Sequence, residues 1–269
     1  LLSQQTREVL QRQATEQKTA TDTAEPTQKI PPTREELSDQ FYQSDSYQRL
    51  RERYSVNVVG SLIAGVYTET ITPTEGVSDK NADRVLINFH GGSFQFGSRT
   101  NSQTESIPVA ALGKIKVICV DYRMYPEHRF PAATDDALAV YQALLEDYAP
   151  EKIGLFGTSS GAQLAAQLLY RLIETQKTLP AAVAMIAEGA TKLEGDSIGM
   201  TAPLFKAQTG MDLFEALEEP YFETASQDDP CVNPALNESA LASFPPSFLA
   251  SSTRDFCLSP VIATHRKLL

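Results

Sequence analysis

Five short and almost continuous apolar runs constrain the fold of this chain more than any other feature. Each run has four to six residues, which is typical of strands buried on both faces of a sheet. Helical patterns over residues 132–148 and 162–175 lie between some of these runs, so strand and helix alternate. This order predicts an α/β fold with a mostly parallel central sheet and helices on both faces. The runs cover residues 85–89, 115–120, 153–156, 181–186 and 247–250.

The chain before the sheet is interpreted as an N-terminal arm with cap helices, over residues 1–54. Residues 1–30 are rich in Gln, Thr and Glu, so we expect an arm with little to bury. Thr33 and Glu36 have the spacing of a capping box, which predicts that a helix begins there. A second short helix is predicted near residues 50–54.

Residues 55–269 are interpreted as the core of the protein. Apolar and polar residues alternate over 56–72, which predicts antiparallel strands with one solvated face. Residues 189–237 interrupt the alternation of strand and helix with an aromatic-rich insert. We expect this insert to form a lid over the carboxyl edge of the sheet.

Composition excludes several classes of function. The 269 residues carry a net charge of −11, which argues against binding to nucleic acid. We find no apolar run of the roughly 18 residues that a membrane span needs. Three cysteines and three histidines are too scattered to predict a metal site. The sequence begins at Leu1 and not at a methionine. Two interpretations of its location therefore stay open: a cytoplasmic protein, and a protein exported after removal of a leader.

The sequence Gly157-Thr158-Ser159-Ser160-Gly161 joins the third apolar run to a helical pattern. A Gly-X-Ser-X-Gly turn between strand and helix is typical of a nucleophile elbow. It would hold the serine hydroxyl at the N-terminus of a helix, where free N–H groups favour developing negative charge. Ser159 is therefore the candidate nucleophile. The alternative is an ordinary loop rich in serine and glycine.

A second motif, His90-Gly91-Gly92, directly follows the first apolar run. Paired glycines allow backbone N–H groups to point at one shared oxygen. Together with the N–H of Ser160, those of Gly91 and Gly92 are predicted to form an oxyanion hole. The alternative is a plain glycine turn, but the position upstream of the elbow favours the functional interpretation.

A third stretch, residues 121–133, reads Asp-Tyr-Arg-Met-Tyr-Pro-Glu-His-Arg-Phe-Pro-Ala-Ala. With the two glycine motifs, it resembles the signature of the bacterial hormone-sensitive-lipase-like esterases, a family with the α/β-hydrolase fold. The resemblance covers roughly residues 55–269. It implies a carboxylesterase or lipase-like serine hydrolase that cleaves short-chain esters through an acyl-enzyme on Ser159, without a cofactor or metal. It also assigns His128 to a structural turn.

Two positions depart from the pattern of that family. Ser93 stands where the family usually has a third glycine, although its backbone N–H is kept. Thr158 stands where the family usually has an aspartate before the nucleophile. We expect the second change to remove a charge near the elbow without abolishing the chemistry.

The resemblance implies a catalytic acid on the loop after the last apolar run. Asp255 lies there and would orient the catalytic histidine, with Glu188 as the reserve candidate and a plain surface aspartate as the alternative. The family places its histidine one helix and one strand after the acid, yet only 14 residues follow Asp255. His265 lies about 15 Å along a helix from that loop and is not expected to be the base. The sequence is therefore interpreted as ending before the last strand, with the catalytic histidine absent.

Two further interpretations stay open. A lactone hydrolase needs the same groups and differs only in the shape of its pocket. A non-catalytic protein that binds a small molecule on the same scaffold would explain a missing histidine, although Ser159, both glycines and Asp255 are kept. In either case the expected partner is a small-molecule ester, lactone or similar ligand. A homodimer is possible in the full-length protein, since family members often pair through their last strand.

Overall fold

The computed structural model describes residues 33–209 and 220–269. The predicted arm over residues 1–30 lies outside the described residues, and so do residues 210–219 of the predicted lid. Two compact units are distinguished, Leu1–Glu36 and Leu37–Leu269. In the first, the predicted capping box is present: the Thr33 N–H donates to Glu36 Oε2 at 2.7 Å and the Glu36 N–H to Thr33 Oγ1 at 3.2 Å.

The second unit is built on a seven-stranded sheet with the order β1-β2-β4-β3-β5-β6-β7. The first two strands form an antiparallel hairpin, and β2 also pairs antiparallel with β4. All other neighbours are parallel, so β3, β4, β5, β6 and β7 end at the same edge. The strands are β1 (Val56–Ile63), β2 (Val66–Pro73), β3 (Val85–Phe89), β4 (Lys116–Val120), β5 (Ile153–Thr158), β6 (Ala182–Ile186) and β7 (Ser247–Ala250).

Eight α-helices are described. They are α1 (Arg34–Gln43), α2 (Asp45–Arg53), α3 (Asn101–Gly113), α4 (Ala132–Leu144), α5 (Ser160–Glu174), α6 (Asp196–Thr209), α7 (Glu238–Leu241) and α8 (Leu258–Leu268). The five predicted strands, the predicted hairpin and the helices corresponding to α4 and α5 are confirmed, with boundaries that differ by a few residues. The prediction that all five strands are buried on both faces is wrong for β7, which has no buried residue and exposes Phe248. Helices α3, α6 and α7 were not predicted.

The two faces of the sheet carry separate apolar cores because successive strand residues point to opposite sides. Ile118 and Val120 of β4 belong to the larger core, which α4 and α5 cover. Val117 and Cys119 belong to the smaller core, which α3 and α2 cover. The central strands are thus buried on both faces, which explains their nearly continuous apolar sequences.

The face that carries α3 also has an uncovered apolar groove of about 520 Å³. Its floor is formed by β3, β5, β6 and β7, and Val109 of α3 forms one wall. Phe248 of β7 lies at its end with 61% of its surface exposed.

Candidate active site

Ser159 occupies the turn between β5 and α5, as the sequence predicts. Its backbone has φ 53° and ψ −128°, a conformation that non-glycine residues rarely adopt and that is often found at functional sites. The Ser159 N–H donates to the carbonyl of Ile186 at 2.8 Å, which ties the turn to the end of β6. Because α5 begins at Ser160, the N–H groups of Ser160 and Gly161 lie beside this serine, whereas those of Ala162 and Gln163 donate to the Ser159 carbonyl.

Two glycines make this turn possible by close approach of the backbone. A Cβ on Gly157 would collide with the backbone of Gly161, and a Cβ on Gly161 would collide with the carbonyl of Phe89. The first turn of α5 is therefore packed directly against the ends of β5 and β3. This contact brings the elbow beside the loop that follows β3.

The loop after β3 lies against the elbow from the other side. A Cβ built on Gly91 would lie 2.8 Å from the Thr158 carbonyl oxygen and 3.4 Å from Ser159 Cβ. Gly92, Ser93 and Phe94 have φ values of 137°, 52° and 55°, so three successive residues have positive φ. Strain of this kind persists only where the surroundings hold it. Here the buried Phe94 anchors the end of the loop.

Glu105, on α3, contacts both the loop and the elbow. Its carboxylate accepts hydrogen bonds from the Gly91 N–H at 3.1 Å, from Asn88 Nδ2 at 3.0 Å and from the Thr158 side chain. The Gly91 N–H, which the sequence predicts to be an oxyanion donor, thus donates to Glu105 in this structure. Glu105 also places a carboxyl group beside Thr158.

Burial raises the pKa of Glu105 from 4.5 to about 7. Desolvation of the charged form is the main cause, and it outweighs the three hydrogen bonds, which favour the carboxylate. A carboxyl group that titrates near neutrality therefore contacts the backbone of the loop that follows β3. No motif in the sequence pointed to this residue.

The two candidate acids lie near each other at the carboxyl ends of β6 and β7. Asp255 accepts hydrogen bonds from Ser251 Oγ at 2.8 Å and from the Cys257 N–H at 2.9 Å. The buried Glu188 accepts one from the Cys257 thiol at 3.5 Å. Ser159, Glu188 and Asp255 thus follow three adjacent parallel strands.

The three histidines lie in different environments. His90 is buried and stacks on Tyr122 with ring centroids 4.4 Å apart. His128 is exposed in the turn before α4, and His265 is exposed in the last turn of α8.

Part of the predicted lid packs against the loop after β3. Tyr221 stacks on Phe94 at 4.6 Å, and Phe222 meets the same ring edge-on at 5.2 Å. The Tyr221 hydroxyl accepts a hydrogen bond from the Ala133 N–H at 2.7 Å, at the start of α4. These contacts fasten residues 220–222 to the core beside the candidate oxyanion loop.

Two features sought in the described residues are absent. Within residues 33–209 and 220–269, no group of three His, Cys, Asp or Glu side chains could hold a metal ion. None of the helices in this described part of the chain combines the length and the apolar character that a membrane span requires.

Comparison with known families agrees with this architecture. The model of the alpha/beta hydrolase fold family matches residues 86–269, which is more than half of the chain. The chain therefore belongs to the α/β-hydrolase fold family.

The chain is similar to several proteins named as esterases. The solved structure of esterase E25 is 33% identical with a TM-score of 0.75, covering 93% of this chain and 80% of E25. An esterase of the bacterial hormone-sensitive lipase family shares the fold at 22% identity and a TM-score of 0.74, covering 90% of this chain and 79% of that one. The resemblance stated from the sequence is thus confirmed.

Curated relatives are matched over shorter segments. An esterase of Acinetobacter venetianus is 33% identical over 46% of this chain and 40% of its own length. An acetyl-hydrolase of Streptomyces hygroscopicus is 38% identical over 40% of this chain and 36% of its own. The matched segment therefore spans well under half of the length of both relatives.

Proposed function

We propose that this protein hydrolyses carboxylic esters of small molecules, with short acyl chains preferred and Ser159 as the nucleophile. The observation that carries the proposal is the strained position of Ser159 between β5 and α5, against the Gly91 backbone. The esterases and the acetyl-hydrolase among its relatives support the class of reaction. The reaction requires no cofactor.

In this reaction the Ser159 oxygen attacks the ester carbonyl carbon, and a base takes the hydroxyl proton. The carbonyl oxygen becomes an oxyanion, for which the N–H groups of Gly92 and Ser160 are the proposed donors, with Ser93 as a further one. The alcohol leaves with a proton and an acyl group stays on Ser159. Water then releases the acid and restores the serine.

The acid of the triad is proposed to be Asp255, with Glu188 in reserve. Asp255 is partly exposed and is held by Ser251 and the Cys257 N–H, so its carboxylate has a fixed direction. The buried Glu188 is engaged by the Cys257 thiol. The base is proposed to be none of the three histidines of this sequence, because His90 is buried and stacked on Tyr122, and His128 and His265 are exposed before α4 and in the last turn of α8.

One observation favours a second candidate function, binding without turnover. The His90 ring is stacked on Tyr122, while His128 and His265 are exposed in the turn before α4 and in the last turn of α8, and a serine without a base is a weak nucleophile. A small-molecule binding protein on this scaffold would keep the pocket and lose the reaction. Lactone hydrolysis is a variant of the first proposal, since it uses the same groups.

The experiment compares Ser159→Ala with Ser239→Ala, an exposed serine of α7 that serves as the matched control. The full-length gene product is assayed on p-nitrophenyl acetate, butyrate and decanoate and on δ-valerolactone. We expect Ser159→Ala to lower kcat by at least about 10³-fold and the control to leave it unchanged. A fluorophosphonate probe should label Ser159, as read by peptide mass spectrometry.

Full activity in Ser159→Ala, or labelling of another serine, would contradict the proposal. Saturable binding of these esters with no turnover in the unchanged protein would support the binding function instead. Relative rates on the esters and the lactone separate the two hydrolytic variants.

A further inference from the structure

Glu105 is the one ionisable side chain that contacts both halves of the proposed site. It lies in the second turn of α3, and its carboxylate is held from three directions. Asn88 donates to it from β3, just before the glycine loop. The Gly91 N–H donates from that loop, and Thr158 donates from the residue before the nucleophile.

These contacts join segments that touch each other. Gly91 lies so close to the elbow that only a glycine fits between the loop and the Thr158 carbonyl. A shift of the loop therefore changes the distance between the Gly92 N–H and the Ser159 oxygen. Glu105 contacts one residue of the loop, Gly91, and one residue of the elbow, Thr158.

We propose that Glu105 is a positioning residue, which fixes the loop after β3 against the elbow and so sets the place of the oxyanion donors relative to Ser159. This inference rests on the proposed function. A misplacement of about 1 Å is enough to cost about 10²-fold in rate, and hydrogen bonds that hold the backbone prevent it. Among the described residues, no lysine or arginine forms an ion pair with Glu105. Its hold on the loop is therefore a matter of hydrogen bonds.

The groups that face Glu105 are few. Cys119 of β4 and Tyr122, which follows β4, both sense its charge, and burial raises the pKa of each. Glu69 of β2 acts on the same cysteine, and the His90 ring stacks on Tyr122. The Cys119 thiol donates to the Ser102 carbonyl at 3.7 Å and the Tyr122 hydroxyl to the His90 carbonyl at 2.6 Å.

The test uses Glu105→Ala and Glu105→Gln in the full-length gene product, with Glu146→Ala as the matched control. Glu146 is an exposed glutamate that follows α4 and belongs to neither motif. For p-nitrophenyl butyrate we expect Glu105→Ala to lower kcat about 10- to 100-fold and to leave KM within about twofold. Glu105→Gln keeps an oxygen for the Gly91 N–H and should lose less than about fivefold.

Rates are normalised to folded protein by circular dichroism, so a loss of fold is not counted as a loss of kcat. An unchanged kcat in Glu105→Ala, or a change in KM alone, overturns the proposal. Equal losses in both Glu105 variants also overturn it, because the hydrogen bond to Gly91 would then not matter.

A second measurement does not depend on activity. In ¹⁵N-labelled protein the Gly91 amide signal should shift with pH as Glu105 titrates, and it should stay flat in Glu105→Gln. If the Gly91 amide signal does not shift with pH in the unchanged protein, the hydrogen bond between Gly91 and Glu105 is contradicted. If Ser159→Ala keeps its activity, the proposed function fails while this titration is still seen, so the two failures are distinguishable.

Discussion

The raised pKa of Glu105 predicts a specific dependence of stability on pH. In the unfolded chain the carboxyl group titrates at its ordinary value of 4.5, and in the folded protein at about 7. Between these values the folded state binds the proton and the unfolded state does not. The free energy of unfolding therefore falls as pH rises through this window. Below pH 4.5 both states are protonated and this loss is absent.

The size of the effect follows from the same two values. The difference between 4.5 and about 7, at about 1.36 kcal/mol for each pKa unit, is about 3 kcal/mol. Glu105→Gln cannot ionise, so it lacks this loss. Relative to the unchanged protein, the variant should gain about 3 kcal/mol of stability between pH 4.5 and pH 8.

The assay is urea unfolding of both proteins at five pH values from 4.5 to 8.5, followed by circular dichroism and by tyrosine fluorescence. Other titrating groups are common to both proteins and cancel in the difference. Glu146→Ala is the control and should follow the unchanged protein at every pH. Parallel curves for Glu105→Gln and the unchanged protein would refute the raised pKa.

Two other predictions concern the acid and the groove. Asp255→Asn should lower kcat/KM for p-nitrophenyl butyrate about 10³-fold or more, since Asp255 is proposed to orient the base. Glu188→Gln should lower it less than about tenfold. A larger loss in Glu188→Gln than in Asp255→Asn would move that role to Glu188. The 269-residue chain should self-associate through β7 and the apolar groove, as measured by light scattering. Phe248→Glu should therefore reduce the association. Val59→Glu is the control and should not reduce it, because Val59 is about equally exposed but lies on β1, the opposite edge strand. A monomeric unchanged chain, or dissociation only in Val59→Glu, would contradict this.

The sheet was predictable from the sequence because its strands are buried on both faces. Each central strand of five or six residues has an almost unbroken apolar sequence, and only a strand between two helical layers needs that. The elbow was predictable for a similar reason, since Gly157 is needed for a close contact with the backbone of Gly161, which is local in sequence. Where the physical cause lies within a few residues, the sequence displays it.

Helix α3 was not predicted because it buries polar side chains. Ser102, Gln103 and Ser106 are buried on it, and Pro108 lies inside it. Gln103 is satisfied by Glu69 of β2, with both Nε2–O distances at 3.0 Å. A helix whose buried face is partly polar gives no clear apolar period, so its partners must be known before it can be recognised.

The place of Glu105 was hidden for the same reason, although the sequence did hold one sign of it. Thr158 stands where related elbows usually have an aspartate, and from the sequence alone this looked like a lost charge. The structure shows that α3 carries a carboxyl group to the same point, where it binds the Thr158 side chain and the Gly91 N–H. Residues 91, 105 and 158 are far apart in the chain, so only the packing of α3 on the sheet brings them together. An unexplained departure at an elbow is therefore a reason to look for a partner on a neighbouring element.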